Sequence, residues 1–170
     1  MIQAHLTGKQ VSSNSSEAMA LKHKSNFGEK SEEKIIYSIY EAFFLFEKKK
    51  LKIFSGKKEL SKEEIEKKLQ RIEKRFSPKY VVFKDLREKG HTVKTALKFG
   101  ADFRVYIKGT KPGKGHARWI VFVDKETERV SWHEFSAKNR VAHSTKKNLL
   151  LAIVDEEEGV LYYEVSWIKP

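Results

Sequence analysis

The 170 residues contain no cysteine. That excludes a disulfide framework, a thiolate zinc site and a cysteine nucleophile. No apolar run reaches the roughly 18 residues of a membrane span, and the apolar cluster Met1–Ile2 gives way at once to polar residues, unlike a secretory signal. Histidine offers no metal-binding spacing: there is no His-Glu-x-x-His, no EF-hand loop and no histidine pair four apart. Lys111-Pro112-Gly113-Lys114-Gly115 is rich in Gly and Lys, but it lacks the Walker pattern and the helix that must follow it. No internal repeat is visible. What the chain has instead is positive charge, 35 Lys+Arg against 23 Asp+Glu, a net +12. The excess is shared evenly between the two halves, so it is not a basic tail. It predicts a polyanionic partner, nucleic acid or an acidic membrane surface. With 39% hydrophobic residues a core is available, and a soluble, cytoplasmic protein is expected.

The patterning predicts a mixed α+β chain of two small domains, 1–77 and 78–170. In the first, Met1–Val11 reads as a strand or two and Val11–Ser16 as a turn. Glu17–Lys24 is a weak helix. Ser31 reads as the N-cap of an amphipathic helix carrying Ile35, Ile36, Ile39, Tyr40, Phe43 and Phe44. Leu51–Phe54 is a short strand. Ser61 and Glu64 form a capping box before Ile65, Leu69 and Ile72. Phe76-Ser77-Pro78 then stops the helix, and the hinge falls there.

In the second half, Tyr80–Glu88 is a helix ended by Gly90, and Phe103–Ile107 is a strand leading into the basic loop Gly109–Gly115. Trp119–Val123 is expected to turn at Asp124–Glu128 into a strand Val130–Phe135. Ala142–Asn148 reads as helix, Leu149–Val154 as strand, Asp155–Gly159 as an acidic turn and Val160–Ile168 as a last alternating strand.

Three separated side chains suggest chemistry. Tyr106 ends a strand, His116 closes the basic loop, and Lys147 lies in the run His143-Ser144-Thr145-Lys146-Lys147. Singly, each fits a packing, solvated or surface role. Together, a phenol, an imidazole and an ammonium suffice for RNA transesterification. One group takes the 2′-hydroxyl proton, another protonates the 5′-oxygen, and a cation meets the charge on the phosphorane. The substrate supplies the nucleophile, so no metal or other cofactor is required.

These residues sit in segments that resemble the archaeal tRNA-splicing endonucleases. The segments are Tyr80–Gly90, Val93–Tyr106, Gly115-His116-Ala117, Arg140–Lys147, Leu149–Asp155 and Tyr162–Pro170. The resemblance covers 80–170 in order; before that it rests on Met1–Gly8, Phe27-Gly28 and Ser31–Ile53. It implies an α+β protein whose C-terminal domain has a restriction-endonuclease-like core. It also implies metal-independent cleavage of precursor tRNA at a bulge–helix–bulge, leaving 2′,3′-cyclic phosphate and 5′-hydroxyl ends. By the same resemblance Tyr106 is the general base, His116 the general acid and Lys147 the transition-state cation, with Lys146 the alternative in register. Arg140 and Trp167 fall where the family clamps a bulged base; the family often has Arg at the second position. Asp155, Glu156, Glu157 and Glu158 correspond to an acidic loop that docks on another subunit, and the last strand to a self-association edge. A structural partner subunit in a heterotetramer is expected, with a homotetramer the alternative. Two other readings stand beside this one: a non-catalytic structural subunit, which would lose the triad, and a plain RNA-binding module.

Overall fold

The computed structural model describes residues 1–170, and the chain divides into two compact units, Met1–Phe76 and Ser77–Pro170. The first unit contains β1 (Ile2–Thr7), β2 (Gln10–Ser13), α1 (Ser16–Ser25), β3 (Glu29–Ser31), β4 (Lys34–Tyr37), α2 (Ile39–Glu47), β5 (Leu51–Ser55), β6 (Lys58–Glu59) and α3 (Lys62–Ile72). Its sheet has the order β3-β4-β2-β1-β5-β6, with β1 and β5 parallel and the other pairs antiparallel. Ile2, Ala4 and Leu6 alternate inward with Leu51 and Ile53, and α2, with Phe43, Phe44 and Leu45 buried, lies against β5.

Two expectations for this unit fail. Val11–Ser13 is strand rather than turn, and Ser31 ends a strand rather than capping a helix. At the second place an alternating segment runs directly into an apolar helical one. Ile35 and Tyr37 are buried on either side of a half-exposed Ile36, the period of a strand. The helix begins only after Ser38, whose capping box with Glu41 is complete. Glu41 is itself buried, and its carboxylate also accepts the Gly28 amide at 3.0 Å. Gly28 has φ +71, and a Cβ there would stand 2.3 Å from Ile35, so no other residue fits.

The second unit contains most of α4 (Phe76–Glu88), then β7 (Thr92–Thr95), a short 3-10 turn (Leu97–Phe99), β8 (Phe103–Tyr106), β9 (Trp119–Lys125), α5 (Trp132–Ser144), β10 (Asn148–Val154) and β11 (Val160–Val165). Pro78 does not stop a helix; it lies in the first turn of α4, where its missing N–H costs nothing. The sheet order is β11-β10-β9-β8-β7, with β9 and β10 parallel at its centre. A parallel pair needs a crossover, and α5 is that crossover. The expected strand Val130–Phe135 is therefore wrong: Ser131 and Glu134 close a capping box, and the helix runs from Trp132.

Each face of the sheet has its own core. Phe103 meets Phe83 of α4 at 5.9 Å, and Tyr162 donates to Asp85 of α4 at 2.6 Å. On the other face Ile120 and Leu149 pack with Ala142 of α5, flanked by Val165 and Leu151. Lys79 of α4 pairs with Asp102 at 3.0 Å, and Asp102 also accepts the Val123 amide at 2.8 Å. No helix is long and apolar enough to cross a membrane.

Candidate active site

Three strand ends meet at one end of the C-terminal sheet. Val105 pairs with Trp119, and Trp119 with Asn148. One residue further out, the Arg118 amide donates to the Val105 carbonyl at 2.9 Å, and the Arg118 carbonyl accepts the Asn148 amide at 3.0 Å. Val105 precedes Tyr106, Arg118 follows His116 by two residues, and Asn148 follows Lys147. A single hydrogen-bonded row therefore gathers the neighbours of all three residues singled out in the sequence.

Alternation sets their direction. Phe103 faces α4, so Val105 does too, and Tyr106 turns to the α5 face. Leu149 packs in the α5-side core, so Asn148 faces α4 and Lys147 the α5 side. Tyr106 is buried and His116 exposed. Lys147 is half-buried, with Nζ donating to the Thr145 carbonyl at 2.9 Å, close to the negative end of α5.

Lys146 and Lys147 lie beyond the helix in which the pattern put them. The Lys147 amide bonds the Ala142 carbonyl at 2.9 Å and the Lys146 amide the His143 carbonyl at 3.0 Å, which is a Schellman motif. Lys146 takes the left-handed position of that motif, φ 56, and is exposed. Lys147 is the residue that enters the sheet.

Trp167 is also displaced from its expected element: the last strand ends at Val165, and Trp167 follows outside it, 58% exposed. Because Val165 pairs with Leu149, this tail leaves the sheet at the same end as Lys147. The Trp167 indole lies 4.4 Å from the His143 ring, and Arg140 is one turn earlier on the same side of α5. The structure thus gathers Arg140, His143 and Trp167 near the end of the sheet that carries Lys147.

The acidic turn is elsewhere. Asp155–Glu158 follows Val154, the far end of β10, which is about 20 Å away at ~3.3 Å per residue. Asp155 Oδ1 accepts the amides of Glu157 at 2.9 Å and Gly159 at 2.7 Å, while Glu156, Glu157 and Glu158 are exposed. A cavity of about 310 Å³ lies beside it, lined by Pro78, Val81, Lys125, Glu126 and Val154 among others.

Sequence reasoning passed over one cluster beside the site. The Glu164 carboxylate accepts from Trp119 Nε1 and from Asn148 Nδ2 (3.0 Å), and Arg118 approaches it at 3.6 Å. The Trp119 hydrogen bond, helped by those of Asn148 and Arg118, holds the Glu164 carboxyl below its ordinary value. Burial first, and the hydrogen bond to Asp85 second, push the Tyr162 phenol far above its own. The one signal for Glu164 was a charge in phase with Tyr162, an inward position of an otherwise alternating strand.

Two family models match the chain. Residues 76–163 match the model of the tRNA intron endonuclease catalytic C-terminal domain, and residues 2–66 that of the tRNA intron endonuclease N-terminal domain. A tRNA-splicing endonuclease of Thermococcus kodakarensis is 42% identical, with 99% of each chain covered. One from Nanoarchaeum equitans is 46% identical over 78% of this chain and 88% of its own, and one from Methanothermobacter thermautotrophicus 40% identical over 90% and 89%.

Proposed function

The chain belongs to the tRNA intron endonuclease family, and from that premise we propose how it acts as a tRNA-splicing endonuclease on precursor tRNA. Residues 78–170 are the nuclease domain, with a restriction-endonuclease-like core; residues 1–77 are an accessory domain. The Tyr106 side chain, as the phenolate, takes the proton of the 2′-hydroxyl and becomes the phenol, and the freed 2′-oxygen attacks the adjacent phosphorus. His116 protonates the departing 5′-oxygen, and the Lys147 ammonium faces the phosphorane oxygens. The P–O5′ bond breaks as the P–O2′ bond forms, leaving a 2′,3′-cyclic phosphate and a 5′-hydroxyl. The observation that carries this reading is the row Val105–Arg118–Asn148, which ties together the segments bearing the three groups. Arg140 and Trp167 supply flat faces for an unstacked bulge base.

An acidic turn about 20 Å from its own site cannot serve that site. This favours the reading in which it docks on a basic surface of another subunit. β11 is an edge strand with Leu161 60% and Tyr163 55% exposed, as a self-association edge requires. The assembly we propose is a heterotetramer with a structural partner subunit; a homotetramer is the alternative, and the mass of the active particle decides.

The test is incubation of the purified chain, alone and with its partner, with a bulge–helix–bulge RNA in EDTA. The expected products end in 2′,3′-cyclic phosphate and 5′-hydroxyl. Ends bearing 5′-phosphate, or activity restored only by magnesium while the RNA stays folded throughout, would overturn the mechanism. Binding without cleavage under every condition would make the chain a structural subunit.

A further inference from the structure

We propose that Glu164 is a positioning residue of the cleavage site, fixing the spacing between the His116 and Lys147 segments through Trp119, Arg118 and Asn148. The inference rests on the assignment of His116 and Lys147 given above. Glu164 pairs with Leu150 in β11, so its side chain lies on the α4 face, opposite Tyr106 and Lys147. From there one carboxylate reaches both central strands at their starts. Oε1 accepts from Asn148, and Oε2 accepts from the Trp119 indole and faces the Arg118 guanidinium at 3.6 Å. The guanidinium lies over the Trp119 ring, 5.1 Å from its centroid, and the His91 ring meets that indole edge-on at 5.6 Å.

Each partner of Glu164 lies next to a proposed catalytic group or close to it in sequence. Holding the Asn148 side chain on one face fixes the peptide before it, and with it the direction in which Lys147 leaves the chain. Trp119 and Arg118 do the same for the segment running back to His116. The backbone row joins those segments on one side, and the Glu164 carboxylate bridges them on the other. A carboxylate has acceptor sites for all three donors at once; no neutral side chain of that length does. An exposed cluster of this kind contributes little to stability, so three partners on one carboxylate are better explained by geometry than by folding. Misplacement by about 1 Å can cost 10²-fold in rate, which is the scale at which such a bridge matters.

The experiment compares Glu164→Gln and Glu164→Ala with wild type in the full chain, with any partner subunit present. Single-turnover cleavage at saturating RNA should fall about ten-fold for Gln, which keeps one acceptor, and about 10²-fold for Ala. RNA affinity, sedimentation and melting temperature should stay near wild type. The Trp119 indole N–H resonance, assigned with Trp119→Phe, should move upfield in step with the rate. Full activity in Glu164→Ala would overturn the inference. So would a loss that vanishes at saturating RNA, one that tracks a fall in melting temperature, or a changed oligomer. His116→Ala and Lys147→Ala are measured alongside. If they abolish cleavage while Glu164→Ala is silent, only this inference falls; if they are silent, the site assignment fails and this inference with it.

Discussion

Replacing Lys146 with Gly and Lys147 with Ala should have opposite consequences, although the two lysines are adjacent. Lys146 sits at φ 56 with its side chain in solvent. An L-residue in that region costs about 1–2 kcal/mol. Glycine removes the cost but loses about 0.4–1 kcal/mol through its freer unfolded chain. Lys146→Gly should therefore be neutral to about 1 kcal/mol stabilising, or up to roughly 4–8 °C in the transition of the C-terminal unit. Its cleavage rate should be that of wild type. Lys147→Ala removes the Nζ–Thr145 hydrogen bond and a cation near the C-terminus of α5. That costs about 0.3–1 kcal/mol, yet single-turnover cleavage should fall ~10²-fold or more, as for loss of a group facing transition-state charge. Calorimetry and single-turnover cleavage on both variants decide the matter. If Lys146→Gly cripples cleavage while its melting temperature holds, Lys146 carries the cation and the assignment is off by one. If Lys146→Gly lowers the melting temperature, the Schellman argument is wrong.

Trp167→Ala and Arg140→Ala should each weaken productive RNA binding about ten-fold, at ~1–3 kcal/mol per lost stacking face. Trp167→Phe should recover part of that and Arg140→Lys little; a large fall in melting temperature with normal cleavage would make Trp167 a packing residue. Asp155→Asn with Glu156, Glu157 and Glu158 changed to Gln keeps the turn's acceptor Asp155 Oδ1. Folding should hold while sedimentation velocity shows weaker assembly, and an unchanged distribution would return the turn to solvent. Tyr37 and Tyr162 have phenols raised above the ordinary value of about 10, both chiefly by burial. Their contribution to stability is therefore complete below pH ~10 and is lost as pH rises beyond it. Ultraviolet titration should leave these two of the six tyrosines protonated until the chain unfolds, and six normal tyrosines in folded protein would contradict the burial argument. The Tyr37 hydroxyl has no hydrogen-bond partner in the core, so Tyr37→Phe should be neutral or stabilising by thermal denaturation.

The elements that local chemistry specifies were legible in the sequence. Ser61 and Glu64 capped their helix as expected, Leu51–Ser55 formed a strand, and the acidic turn lay where it was expected. The misplaced elements share a physical origin. Ile35–Tyr37 and Ile39–Leu45 are both apolar, and only the change of burial period at Ser38 separates them. A single helix pattern fits that composition as well as a strand and a helix do. Likewise Val130–Phe135 carries β-favouring residues, and the Ser131–Glu134 box that starts α5 was outweighed by them. What decides in favour of helix is the parallel pairing of β9 with β10, a long-range contact that requires a crossover.

The same distinction separates the proposed catalytic groups from their support. Tyr106, His116 and Lys147 are visible because their chemistry is unusual in combination and their segments resemble a family. Glu164 is visible in neither way. One carboxylate in a strand carries no motif, and its partners lie 16, 45 and 46 positions away in the chain. They become neighbours only when β10 pairs with β9 on one side and β11 on the other. Groups that meet the substrate must have particular chemistry, so sequence can mark them. A group that holds them need only supply an acceptor of the right reach, and any strand position in register can do so. The sheet register, more than the residue type, assigns Glu164 its role, and for that reason the shape of the cleavage site had to be read from strand pairing.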